Sequence, residues 1–167
     1  MDCKQDPGAI ATREEHWNGT ALEREVAGLS SESVVRRFLE EMWAKGNTDL
    51  IDMVVHEDYA ADGRVVGREF VRRNMRRFRT GFPDYSVRIL TLVASGDDVV
   101  VLFEHTGTHQ GTFGGFEPTG KQMSFLESGF FKVADDQVIS GDFVSDGLGL
   151  RIQLGVLPED FWQNPQR

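Results

Sequence analysis

From Ser31 onward the apolar positions change their spacing twice along the chain. Val34, Val35, Phe38, Leu39, Met42 and Trp43 recur at helical intervals up to Gly46, which predicts an amphipathic helix stopping at that glycine. Leu50, Ile51 and Val54, after Asn47-Thr-Asp49, predict a second and shorter helix. Tyr59 to Val66 reads as extended chain with a turn at Asp62-Gly63. Residues 67–80 return to helical spacing, with Phe70, Val71, Met75 and Phe78 on the apolar side. Beyond Gly81-Phe-Pro83 the pattern becomes that of strands. Residues 85–94, 98–109, 121–134 and 137–146 are rich in Val, Ile, Leu and Phe. Turn signals separate them at Ser95-Gly-Asp-Asp98, Gly114 to Gly120 and Asp135-Asp136.

Three helices followed by a long antiparallel run define an α+β domain. A curved sheet folded round the helices would form a cone with one open end. Residues 1–30 are polar and without sustained period, so a mobile arm is expected there. Thr20-Ala-Leu-Glu23, with the spacing of a capping box, could start a short helix within it. The compact domain is expected over 31–158, with 159–167 as a tail.

Charge and cysteine content narrow the function classes. With 18 basic against 27 acidic residues the chain carries −9, which argues against binding a phosphate backbone as the main task. Cys3 is the single cysteine; an internal disulfide is impossible, and a reducing, cytoplasmic location is expected. No apolar run approaches the ~20 residues that span a bilayer, and residues 1–20 hold no signal-type apolar stretch. Neither a membrane nor a nucleic acid is therefore an expected partner.

Candidate chemistry gathers in the strand half. Strand alternation places Val99, Val101, Phe103, His105, Gly107 and His109 on one face, running from apolar to polar. Imidazoles at His105 and His109 could exchange protons near neutral pH. Their separation of about 13 Å on a strand is too long for one shared zinc, and no metal or other cofactor is expected. On the last strand Ser140, Asp142, Val144 and Asp146 share a face if no bulge intervenes. Two acids on an apolar sheet need partners or separated pKa values, the requirement of acid–base work. The competing role for Asp146 is to cap the segment starting at Gly147. Glu127 shares a face with Met123, Phe125 and Phe131, as a pocket residue or an ion-pair partner. Arg88 alternates with Leu90 and Leu92 and could meet such an acid. Tyr59 could donate a hydrogen bond into a pocket walled by Phe38, Trp43, Phe103 and Phe125. Seven arginines lie between Arg64 and Arg79, either as an anion-attracting face or as a solvated surface in ion pairs.

Several motifs, in order, carry a resemblance. They are Gly67-Arg-Glu69, Phe82-Pro-Asp-Tyr85, Gly96-Asp-Asp-Val-Val100, Gly107-Thr-His-Gln-Gly111, Pro118-Thr-Gly-Lys121 and Phe130-Phe-Lys-Val133. Asp146 and Gln153-Leu-Gly-Val-Leu-Pro158 complete the set. Together they resemble the SnoaL-like polyketide cyclases and their ester cyclase relatives, within the nuclear transport factor 2-like fold. The resemblance implies cofactor-free aldol-type ring closure, and that or a related proton-transfer isomerisation of a polyketide-like or polycyclic small molecule is the expected reaction. It implies an acid at Asp146 acting as general acid and base, with a histidine assisting. This chain has Ser140-Gly-Asp142 where many members carry Glu-His-Trp, and Ala60-Ala-Asp62 where members often carry a histidine. Two other functions fit the fold. One is epoxide hydrolysis by an Asp142–Arg88–Asp146 set, and the other a non-catalytic ligand-binding or dimerisation module. The open sheet of such a fold implies a homodimer, or a tetramer.

Overall fold

A computed structural model describes residues 28–161. The expected helix at Thr20–Glu23 and the end of the tail lie outside the described residues. Ser30 opens the first helix by accepting, at Oγ, a hydrogen bond from the Ser33 N–H at 3.2 Å. Helix α1 (Ser31–Arg36) runs directly into a π-helical stretch, Arg37–Trp43. There the Ala44 and Asn47 N–H groups donate to the carbonyls of Leu39 and Met42, five residues back. The predicted continuous helix to Gly46 is thus one element with a widened second half. Within that half Phe38, Leu39 and Met42 are all buried.

Asn47 caps a short 3₁₀ turn (Thr48–Leu50) leading into α2 (Ile51–Val54). Strand β1 (Val55–Ala61) starts immediately afterwards, four residues earlier than its sequence suggested. Asp62 and Gly63 turn the chain with φ of 50° and 69°, as Asp-Gly pairs readily do. A short β2 (Arg64–Val65) and helix α3 (Gly67–Gly81) follow. The four long strands are β3 (Ser86–Ser95), β4 (Asp98–Thr108), β5 (Gln122–Ala134) and β6 (Gln137–Ser145). Helix α4 (Gly147–Gln153) closes the domain.

The strands form one curved six-stranded sheet in the order β2-β1-β6-β5-β4-β3. Neighbours are antiparallel except β1 and β6, which run parallel. The strand half therefore matches expectation to within a residue at most ends. One continuous core fills the space between α1, α3 and the sheet, from Val34 and Phe38 through Val71 and Met75 to Val101, Phe103 and Phe131. Alternation along β4 sends Val99, Val101, Phe103, His105 and Gly107 to that buried side. Among the described residues no helix is long and apolar enough to cross a membrane.

Candidate functional site

A cavity of about 560 Å³ opens between the helices and the inner face of the sheet. Its walls are rich in aromatic side chains. Phe38 and Trp43 come from the π-helical stretch, Phe78 from α3, and Phe103 and Phe125 from diagonal positions of β4 and β5. Room for a small molecule of two or three rings is present, and a cavity of this size and apolarity is of the kind that holds such ligands.

Several polar side chains also line the cavity, and one of the buried ones is His105. The register pairs His105 with Phe125 and Phe103 with Glu127, so the imidazole and the Glu127 carboxylate are diagonal neighbours on the buried face. His105 Nε2 lies 3.7 Å from Glu127 Oε2, with side-chain exposures of 6% and 17%. Its Nδ1 is 2.6 Å from the Tyr85 hydroxyl. The ring stacks flat on Phe125, centroids 4.4 Å apart and planes 8° apart. Burial, and then the nearby Glu127 carboxylate, push the Tyr85 phenol well above its ordinary range, against an opposing pull from Arg79. A phenol that keeps its proton donates to Nδ1, which assigns the imidazole hydrogen to Nε2, facing Glu127. Nε2 has no hydrogen-bond partner at its present distance from the carboxylate. The order is therefore Tyr85, His105, Glu127, with the carboxylate as the most exposed member. The same residue types in that order serve elsewhere to hold and move a proton.

Tyr59 is another of the buried polar side chains. Its phenol is likewise raised well above its ordinary range, first by burial and then by the carboxylates of Asp142, Asp62 and Glu127. It remains a hydrogen-bond donor at neutral pH. Gly141 makes space for it, since a Cβ at that position would come 2.5 Å from the Tyr59 hydroxyl oxygen.

The structure separates the residues that the sequence grouped. His105, Glu127, Tyr59, Phe38, Trp43, Phe103 and Phe125 line the cavity, whereas Asp146, Asp142, His109 and Arg88 do not. Asp146 sits between two cavity residues, Ser145 and Gly147, but is itself exposed. Its Oδ1 accepts the Gly149 N–H at 2.7 Å, so the side chain caps α4. Replacing Asp146 with alanine is expected to cost about 1 kcal/mol in urea unfolding, as for other lost caps. Asp142 pairs with Phe130 in the ladder and takes the outer face with it, where Oδ1 accepts the Asp62 N–H at 2.7 Å. The inner positions of β6 are instead Gly141, Phe143 and Ser145, one residue out of step with the expected set.

His109 lies just past the end of β4 and is fully buried against Phe82. Its Nδ1 accepts from the Thr119 N–H at 3.3 Å and lies 3.1 Å from the Thr119 hydroxyl. It pins the loop between β4 and β5. Arg88 pairs with Glu104 at 2.7 Å on the outer face, so no Asp–Arg–Asp set assembles.

Tyr85 was absent from the expected site although its motif was visible. Within Phe82-Pro-Asp-Tyr85, Phe82, Asp84 and Tyr85 are all engaged. Phe82 packs on His109, Asp84 accepts from the backbone N–H and hydroxyl of Thr108, both at 2.7 Å, and Tyr85 reaches His105. These bonds hold the Asp84 carboxyl below its usual range. Gln153 similarly clamps α4 to β5, exchanging two hydrogen bonds with the Ser124 backbone at 2.8 and 2.9 Å.

Comparison with known proteins places this architecture. The chain is similar to TsrD from Streptomyces laurentii, at 26% identity and TM-score 0.69, over 75% of this chain and 95% of that one. A candidate SnoaL-like polyketide cyclase from Jannaschia sp. CCS1 is similar at 25% identity and TM-score 0.69, over 77% and 93% of the two chains. AclR from Streptomyces galilaeus, a candidate hydroxylase, shares the fold at 23% identity and TM-score 0.69, over 77% and 83%. No curated protein matches the chain in sequence. A family profile for SnoaL-like polyketide cyclases matches residues 33–154, most of the chain, and the protein belongs to that family.

Proposed function

We propose that the protein is a cofactor-independent cyclase or isomerase that works by general acid–base catalysis on a polyketide-like, polycyclic carbonyl compound. The observation that carries this is the buried His105 beside the half-buried Glu127 carboxylate at the wall of an aromatic-rich cavity. Glu127 takes a proton from the carbon next to the substrate carbonyl. The C–H pair moves into the enolate, whose oxygen accepts a hydrogen bond from Tyr59. In ring closure the enolate carbon attacks a second carbonyl of the same molecule, and the new alkoxide recovers the proton from Glu127. In isomerisation the proton returns to a different carbon. His105, held by Tyr85, stands beside the carboxylate and helps to keep it oriented.

The experiment is α-proton exchange of 2-tetralone and related two- and three-ring ketones in D2O, followed by NMR. Enzyme-dependent exchange above the buffer rate is expected. A panel in which no ketone exchanges faster with protein than without it would end this reading in favour of a ligand-binding module.

The same reading includes a homodimer through the outer face of the sheet. Val93, Val100 and Phe130 are consecutive in one ladder row, and all three are exposed, as are Leu126 and Val144. A contiguous apolar patch on a sheet is normally covered. Light scattering is expected to give a dimer at micromolar concentration and a monomer for the Phe130→Asp/Val144→Asp variant. A monomeric wild type would contradict this.

A further inference from the structure

The arginine-rich segment resolves into paired and unpaired members. Arg68 and Arg72 meet Asp52, and Arg76 meets Glu69. Arg79 donates to the carbonyls of Trp43 and Ala44, and Arg73 lies over Phe70. Arg64 is exposed on β2. Arg77 differs from all of these because it lines the cavity. Its guanidinium carbon sits 5.5 Å from the Phe78 centroid and 5.2 Å from that of Phe113, while no carboxylate pairs with it among the described residues. Rings hold the flat faces of a guanidinium and leave its N–H edge free. A second arginine, Arg151 of α4, also lines the cavity without a carboxylate partner among the described residues. Its Nη1 donates to the Gly147 carbonyl at 2.7 Å, which fixes the side chain and leaves the other N–H groups unspent.

We propose that Arg77 and Arg151 form an anion subsite of the cavity, so that the substrate is an aromatic or polycyclic carbonyl compound bearing a free carboxylate. In a chain of net charge −9, with Asp62 and Glu127 also on the cavity wall, two unpaired cations at the same cavity are the feature that an anionic ligand would complete. A monoanion suits the site better than a dianion, because those two carboxylates repel added negative charge. Guanidinium binds carboxylate with charge-assisted, directional hydrogen bonds, which set the orientation of the rings in the cavity. This inference rests on the cavity being the substrate site, but not on the proton chemistry assigned to it.

Isothermal titration with 2-naphthoate, methyl 2-naphthoate and 2-naphthamide tests it. The acid is expected to bind at least about tenfold more tightly than the ester or the amide, the ratio typical of one charged hydrogen-bonded contact. Added salt is expected to weaken the acid alone. Arg77→Gln and Arg151→Gln should each reduce acid affinity, and the double variant should bind acid and ester equally, with ester affinity unchanged. Arg77→Lys, which keeps the charge without the fork, should fall between. Melting curves of all variants check that these exposed substitutions leave the fold intact. Equal binding of acid and ester by the wild type, an acid preference that survives in the double variant, or no binding of any of the three overturns the proposal. If ketone exchange fails while the acid preference holds, the catalytic reading falls and the subsite stands.

Discussion

Glu127→Gln is expected to slow enzyme-dependent α-proton exchange by about a hundredfold to ten-thousandfold, the range lost when a positioned general base is removed. The substitution keeps the shape of the side chain and its place beside His105, so melting temperature and ligand affinity should change little. His105→Gln should act through Glu127. The imidazole Nε2 lies 3.7 Å from the carboxylate without a hydrogen-bond partner, and its Nδ1 is taken up by the Tyr85 hydroxyl, so the imidazole is placed to steady Glu127. A smaller loss of exchange than in Glu127→Gln is therefore expected, because the residue reaches the reacting carbon only through the carboxylate. Asp146→Ala should leave exchange unchanged while losing its cap energy. That contrast separates a site built on β4 and β5 from one built at the end of β6. Exchange in Glu127→Gln within a few fold of wild type, with Asp146→Ala inactive, would return the acid to the position the family resemblance implied.

The difference between those two sites shows what a sequence conveys about a sheet. In β4 the run Val99–Phe103 is apolar throughout, but Glu104, Thr106 and Thr108 beyond it mark the outer face, so His105 could be placed on the inner one. In β6 Phe143 and Val144 are adjacent, and alternation alone does not choose which of them faces inward. The ladder chooses: Phe131 is buried, its partner Gly141 follows it inward, and Asp142 is carried outward with Phe130. Position 88 was misplaced for a related reason. The pairing of β3 with β4 shifts between Ile89 and Thr91, so Arg88 and Leu92, which alternation alone puts on one face, end on opposite ones. His109 was on the expected face, but β4 ends one residue before it and the loop closes over the ring. Tyr85 required tertiary knowledge of another kind. It lies one residue before β3, outside the strand pattern, and only the pairing of β3 with β4, Val87 against His105, brings its hydroxyl to the imidazole. Local pattern reports which residues are buried; which buried residues meet depends on register, and register is a property of pairs of strands.

Register also sets the largest stability effect expected in the molecule. Gly129 and Phe131 are two residues apart on the buried face of β5, and the Phe131 ring folds back over the glycine. A Cβ at Gly129 would come 2.6 Å from Phe131 Cε2 and 3.2 Å from Phe103 Cε1. Phe131 also meets Phe38 edge-on at 5.5 Å, which couples the sheet to the π-helical stretch of the first helix. Phe131→Ala is expected to cost about 3–5 kcal/mol, since a fully buried ring leaves both its transfer energy and a cavity behind. Gly129→Ala alone is expected to cost about 1–3 kcal/mol by overpacking. In the Phe131→Ala background the same methyl loses its two closest contacts, and the Phe103 contact at 3.2 Å has room to relax. It also removes the entropic penalty of a strand glycine, so its cost should fall to near zero. Urea unfolding of the four proteins gives a double-mutant cycle, and a coupling of at least about 1 kcal/mol is expected for two side chains in contact. If Gly129→Ala costs the same in both backgrounds, the ring does not occupy the glycine's space, and the packing that ties the sheet to the first helix must be assigned differently.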